Sequence, residues 1–486
     1  MGWTMGFLQQ PTANRKMKNE NPSTTKIDAI DALDTVKSTD DIEDGKRAPE
    51  TDGVFGDLDE HAKEYRSVTA IGAFVLMTKA NLGMGVLGLP AVFHTVGLIP
   101  GYILLISICA LMTYTVMVIG PFKRNHPQCY SVADALFLIW GKVGREIMSV
   151  QFVLGKTFVV AGALVSVSTA LNAVSVHGAC TAVFIAVAAV VGFLLSSIRT
   201  LHKLTWLAWV GLVSIVAALL IVTIAVGIQD RPAAAPQTGP WDKNFKIIGH
   251  PTFTQTMTSV TTVIFAYAAT PVYFSILCEM KEPRKYQRTM VISMWLCCAC
   301  YLAIGTVMYY YCGQYISSPS LGSAGPLVKR ISYGVVLPAL LVTLCLYAHI
   351  TAKFLFVRIL VGTHDLSHPT KKHWAVWLGV NFAIMAASYI LASAIPIFSL
   401  IVSFIGAICS TPGTLLPFPL MWWYDSWRGK TWAERNKWAG ALNLFIVVLA
   451  FVIIVSGTYS GIVELIKAQA KNGPWTCNDN SNSVKK

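Results

Sequence analysis

The sequence predicts an all-α polytopic membrane protein. It reads as eleven transmembrane helices: a five-plus-five inverted repeat, with broken first and sixth helices, plus one extra helix. Three observations carry that reading. The 486 residues are 54% hydrophobic and only 13% charged, whereas soluble domains are about a quarter charged. Apolar runs of about 20 residues, enough to cross a bilayer, recur along the chain. The first and the sixth of those runs are interrupted by helix-breaking residues.

Taken in order, the candidate spans are 68–95, 99–119, 148–174, 179–197, 205–227, 253–278, 289–312, 332–357, 374–392, 395–421 and 438–461. Residues 67–462 thus form one transmembrane domain. Ahead of it, 1–66 is polar and lacks an apolar h-region, so it reads as a disordered tail rather than a cleaved signal. A short tail, 463–486, follows. The net charge of +13 does not point to nucleic acid, because the cations are spread through short loops. One set of loops carries Lys123, Arg124, Lys142 and Arg145, then Arg199 and Lys203, then Lys281, Arg284, Lys285 and Arg288. The same set continues with Arg358, Lys371 and Lys372, and with Arg428, Lys430, Arg435 and Lys437. The alternate loops carry only Arg231, Lys243, Lys246, Lys329 and Arg330. The excess marks the first set, and the N-terminal tail, as cytoplasmic. The eleven cysteines include several in apolar runs (Cys297, Cys298, Cys300, Cys345) and form no Cys/His cluster of metal-ligand spacing. Cys180 and Cys312 fall at external helix ends and are candidates to pair.

The breaks carry the chemistry. The first span holds "TKANLGMGVLGLP" (78–90), with Gly83, Gly85 and Gly88 in it and Pro90 at its end; the sixth holds "FAYAATPVYF" (265–274), with Pro271 near its centre. Pro271 has no N–H to donate, and it pushes Thr270 away from helical geometry. Every backbone polar group at membrane depth needs a partner, so a break is tolerated only where it is buried or lines a cavity. Paired breaks in corresponding positions of two halves point to a transporter with its site at the midplane. Free N–H groups at the break suit a carboxylate and free C=O groups suit an ammonium; an amino acid presents both. The bland alternative is that Gly85 and Gly88 are small faces for helix packing.

These motifs resemble a known family. "NLGMGVLGLP" (81–90) is similar to the first-span signature of the amino acid/auxin permeases, and "FAYAATPVYFSILCEMKEPRKY" (265–286) to their sixth span and following loop. "AIPIFSLIVSFIGAICSTPGTLLP" (394–417) resembles their tenth span. The resemblance covers about residues 65–460 and is nearest to the fungal neutral amino acid permeases of the methyltryptophan-resistance type. It implies eleven spans, the inverted repeat and secondary active uptake of amino acids. It places Ala80, Gly83 and Gly85 near the substrate carboxylate, and Tyr267, Ala268, Ala269 and Thr270 near its ammonium and side chain. Small residues at the sixth-span break favour neutral aliphatic or aromatic substrates.

Lys79 lies about 16 Å into its span at 1.5 Å per residue, too deep for simple snorkelling. A charge at that depth is a functional candidate. Sodium-coupled relatives tend to carry a neutral amide here, so the ammonium stands where an ion would bind. The resemblance brings His349 of the eighth span to the same region. The expected coupling ion is therefore a proton rather than sodium, with Lys79 or His349 as the titrating group and Thr351 as a polar neighbour. The competing expectations are that Lys79 is a fixed cation paired with a carbonyl or Glu279, and that His349 is an interhelical hydrogen bonder. Lys156 and Lys353 read as snorkelling residues near cytoplasmic span ends, and "MWWYDSW" (421–427) as an interfacial aromatic belt.

The expected partners are an amino acid, a proton and the bilayer, with no cofactor, metal or nucleic acid. No HExxH, GxSxG or GxxxxGK[ST] motif supports an enzyme or an ATP-driven pump. A plasma-membrane importer, a vacuolar transporter of the same fold and a transporter-like amino acid sensor all remain compatible with the residues; flux separates the last from the others.

Overall fold

The computed structural model describes residues 68–197, 204–360, 365, 370–469 and 474–483. The N-terminal tail expected over 1–66 lies outside them. Each apolar segment expected to span is helical. Helices α1 (Ala70–Asn81) and α2 (Met84–Val96) form the first segment; α3 (Leu98–Met117) and α4 (Ile119–Asn125) form the second. Then come α5 (Val132–Ser175), α6 (Thr181–Ser196) and α7 (Leu204–Ile228). The sixth segment is α8 (Phe253–Ala266) and α9 (Val272–Glu279). Beyond it run α10 (Tyr286–Cys312), α11 (Pro326–Leu360), α12 (Lys371–Ala394), α13 (Phe398–Ile405), α14 (Thr411–Leu415), α15 (Pro417–Trp427) and α16 (Lys437–Gln469).

By length and apolarity alone, eight helices among the described residues can cross a membrane, and the pair α1 and α2, bent by 48°, makes a ninth span. The 16-residue α6 is apolar but short, and the interrupted pair α8 and α9 is not among the nine. The apolar surface points outward. Leu220 and Ile224 of α7 and Phe445 and Val455 of α16 are all more than half exposed, the arrangement of helices that face lipid rather than water.

Two elements differ from expectation. Helix α5 starts at Val132, not near 148, and runs for 44 residues. Its first turn is fixed by a capping box in which Ser131 accepts from the Asp134 N–H and Asp134 accepts from the Ser131 N–H. Gly141 (φ 64°, ψ −149°) kinks it, a conformation that favours glycine. The tenth segment contains a π-helical turn, Gly406–Ser410, between α13 and α14. A Cβ on Gly406 would lie 2.0 Å from the Thr261 carbonyl oxygen, so only glycine lets this turn rest on α8.

Helices α5, α6, α11 and α12 pack on one another as one block; α1, α2, α3, α8 and α10 pack as a second. The start of the first segment is tied to the end of the sixth: the Val68 N–H donates to Glu279 O (3.1 Å) and the Lys281 N–H to Val68 O (2.9 Å). A C-terminal stretch crosses the ends of the first block. Cys477 forms a disulfide with Cys180, so Cys180 does not pair with Cys312, which is free and buried. Around that bond, Asn172 donates to Asn480 Oδ1 (2.8 Å), Thr181 to Asn478 O (2.7 Å), Lys329 to Ser481 O (2.6 Å), and the Trp475 N–H to Ser393 O (3.0 Å). Asp425 of the Trp-rich stretch accepts from Asn125 (3.0 Å) and contacts His126 (2.6 Å), joining α15 to the end of α4.

Candidate functional site

The two interrupted segments face each other at their breaks. At the first, Leu82 closes α1 through its N–H to Thr78 O (2.7 Å), Gly83 turns, and α2 starts with no side-chain cap. The leading N–H groups of a helix lack intrahelical acceptors and carry its positive dipole end. At the second, residues 267–271 form a turn in which N–H groups stay local, as with Ala268 N–H to Phe265 O (3.0 Å) and Thr270 N–H to Tyr267 O (3.3 Å). The carbonyls at the breaks have donors: the Gly83 N–H donates to Asn81 O (2.6 Å), and the single hydroxyl proton of Tyr301 of α10 is shared between Asn81 O (2.8 Å) and Ala266 O (3.1 Å), at the C-terminal ends of α1 and α8. This is how the chain meets the requirement that buried backbone groups be satisfied.

Lys79, Ala80, Asn81, Gly83, Met84 and Gly85 of the first break share one cavity with Phe265, Ala268 and Ala269 of the second; Lys156, Val159, Thr343 and Tyr347 complete it. The open space is about 20 Å³, room for a water rather than an amino acid. A second cavity of similar size shares Lys156, Val159 and Ala268 with the first and extends to Gln151, Cys409 and Thr414 beside the π-helical turn. The two small spaces thus adjoin along Gln151–Val159 of α5.

Lys79 is 2% exposed and donates to Thr343 Oγ1 of α11 (2.6 Å). Its stem passes Gly211 of α7, where a Cβ would stand 3.0 Å from Lys79 Cε. It pairs with no carboxylate among the described residues: Glu279 accepts instead from the Tyr130 hydroxyl (2.9 Å). Asn81 donates to the Tyr273 hydroxyl (2.7 Å), while its Oδ1 is buried with no partner among the described residues.

Of the residues singled out by sequence, Lys79, Ala80, Gly83, Gly85, Ala268 and Ala269 come together. The other four lie elsewhere. Tyr267 is fully buried edge-on against Tyr301, with ring centroids 5.5 Å apart. Thr270 is fully buried and does not line the cavity. His349 stands against Trp377 (5.2 Å) and contacts Ser196 O (3.3 Å), and Thr351 donates to Tyr347 O (2.7 Å). Gly85 packs rather than opens space: a Cβ there would stand 2.5 Å from Ala266 Cα. At Gly83 the nearest atom would be Ala80 O at 3.7 Å. Sequence reasoning missed Asn81, Met84, Phe265, Thr343, Tyr347 and Lys156. Lys156 does not snorkel; it is 6% exposed and lines both cavities, whereas Lys353 is exposed. The helix resumes directly after the Gly141 kink, so Lys156 lies well inside it rather than near a span end.

An all-helical membrane protein with a polar, lysine-bearing cavity between two interrupted helices is a transporter in architecture. The profile of the family described as "transmembrane amino acid transporter protein" matches residues 66–463, and the chain belongs to that family: it is an amino acid transmembrane transporter and not an enzyme. It is 37% identical over 425 residues to a "transmembrane transporter" of Gibberella moniliformis, covering 87% of this chain and 90% of that one. It is 30% identical over 416 residues to the "N amino acid transport system protein" of Neurospora crassa, covering 84% and 86%. Among solved structures, a nucleobase-cation-symport-1 family transporter in a closed conformation with bromovinylhydantoin bound is similar in fold. Its TM-score is 0.52 at 13% identity, over 87% of this chain and 97% of that one.

Proposed function

We propose that this transporter imports neutral amino acids, aliphatic and aromatic, across the plasma membrane by proton symport. In this reading the chain crosses the bilayer eleven times. The segments 70–96 and 253–279 are equivalent broken spans of two inverted halves, and α16 is the extra helix. Residues 1–66 are a cytoplasmic tail. The disulfide between Cys180 and Cys477 then lies opposite the basic loops, on the side where disulfides persist.

The observation that carries the coupling is Lys79: a buried ammonium held by a threonine hydroxyl, beside the cavity and without a carboxylate among the described residues. It joins α1 of one packing block to α11 of the other. A fixed metal ion bound there would compete with this charge, whereas a proton can leave and return on the ammonium itself. The neutral preference rests on the lining. Ala80, Val159, Phe265, Ala268 and Ala269 offer apolar contact, and no carboxylate is present to receive a cationic side chain. Lys79→Asn in proteoliposomes tests the coupling. Leucine accumulation driven by an inward proton gradient is expected to fall at least tenfold while exchange of leucine against leucine persists. Full gradient-driven accumulation in that variant would rule Lys79 out as the coupling group.

A further inference from the structure

Lys156 is the second buried ammonium of the cavity, and nothing above gives it a task. It projects from the middle of α5 into the seam that the two cavities share. Its Nζ lies over the rings of Tyr347 (5.1 Å) and Phe152 (5.7 Å). These cation–π contacts offset part of the loss of water, but neither ring is a hydrogen-bond acceptor. Among the described residues it has no ion pair and no hydrogen-bond partner, and no carboxylate lines either cavity. An ammonium on a residue 6% exposed is costly in that state, and the cost is relieved by loss of its proton or by an anion brought to it; unlike Lys79, it has no hydroxyl partner in place among the described residues. The uncapped start of α2, at Met84 and Gly85, lines the same cavity and also favours negative charge.

We infer that Lys156 is a specificity-determining residue: it pairs with the carboxylate of the substrate as the substrate passes between the two cavities, and it excludes amino acids whose side chains bring a second cation. This rests on the reading of the cavity as the amino acid site and adds to it which residue sorts substrates by charge. Electrostatic sorting of this kind works through repulsion of the wrong partner as much as attraction of the right one.

The test uses the full-length chain in proteoliposomes, with labelled leucine and labelled arginine. The wild type is expected to take up leucine and to reject arginine. In Lys156→Gln the KM for leucine is expected to rise about tenfold or more, the range of one charge-assisted hydrogen bond. The leucine-to-arginine ratio should narrow by a similar factor. Lys156→Arg should restore much of the ratio, which a merely structural role would not predict. Lys156→Met, which keeps the stem and removes the charge, serves as second variant if Lys156→Gln lowers the melting temperature, and is expected to narrow the ratio equally. A leucine KM and a leucine-to-arginine ratio both unchanged in the uncharged variants would overturn the inference alone. Wild-type vesicles that take up neither amino acid would overturn the transport reading as well.

Discussion

The two packing blocks are held together by different means. In the block of α5, α6, α11 and α12 no helix is broken beside the cavity, α5 being kinked at Gly141, well before Lys156, and a C-terminal stretch ties their ends from outside through the Cys180–Cys477 disulfide and hydrogen bonds to Asn172, Thr181, Lys329 and Ser393. In the block containing α1, α2, α8 and α10 the first and sixth segments are interrupted, and the fastening is internal: the Tyr301 hydroxyl of the unbroken α10 lies within hydrogen-bond reach of a carbonyl at each break. Irregular backbone in a membrane protein belongs where protein rather than lipid surrounds it. The cavity forms where the interrupted block meets α5 and α11 of the continuous one, so the irregular side supplies backbone groups and the regular side supplies Lys156, Thr343 and Tyr347.

That contrast can be broken from either side. The largest expected effect is on the outer fastening. Cys477→Ser removes a cross-link of sequence separation 297 and should lower stability by about 2–5 kcal/mol. Melting temperature should fall, and a reducing agent should lower the wild type to match, while the KM for substrate stays unchanged because the bond is not part of the cavity. Next is the inner fastening. Tyr301→Phe leaves the Ala266 carbonyl without its hydroxyl donor, while Asn81 O keeps the Gly83 N–H (2.6 Å), at a cost of about 1–3 kcal/mol for an unsatisfied buried group. Here uptake should fall together with melting temperature, because the same bond shapes the breaks. Gly85→Ala should behave similarly, since the added methyl meets the Ala266 backbone at 2.5 Å and overpacking costs about 1–3 kcal/mol. The smallest effect sharpens the comparison: Gly83→Ala, with its nearest neighbour at 3.7 Å, should cost under about 1 kcal/mol, the scale of a poorer N-cap. A Gly83→Ala variant as damaged as Gly85→Ala would show that the first break is limited by something other than contact with α8.

The breaks were legible in the sequence because glycine and proline act locally: Gly83 and Pro271 mark the interruptions wherever the helices pack. Lys79 was legible through its depth. What the sequence could not show depends on rotation and on distant partners. Tyr267 and Thr270 sit in the right turn but do not line the cavity, because within a turn neighbouring side chains meet different surroundings that a list of positions treats alike. Thr343 became the partner of Lys79 across 264 residues, a pairing no spacing rule supplies. Lys156 was misread because the polar run at 141–146 looks like a loop. A kink at Gly141 lets the helix pass through that run, and the lysine moves from a span end to its middle. Cys180 found its partner in the C-terminal stretch, which polar composition had set apart as a tail.

The central claim is that the cavity moves amino acids on a proton gradient. Uptake of labelled leucine into proteoliposomes, under an imposed pH gradient with and without sodium, tests it most directly. Accumulation that requires the inward proton gradient and ignores sodium is the predicted result. Accumulation that requires sodium, or binding without flux, would contradict it.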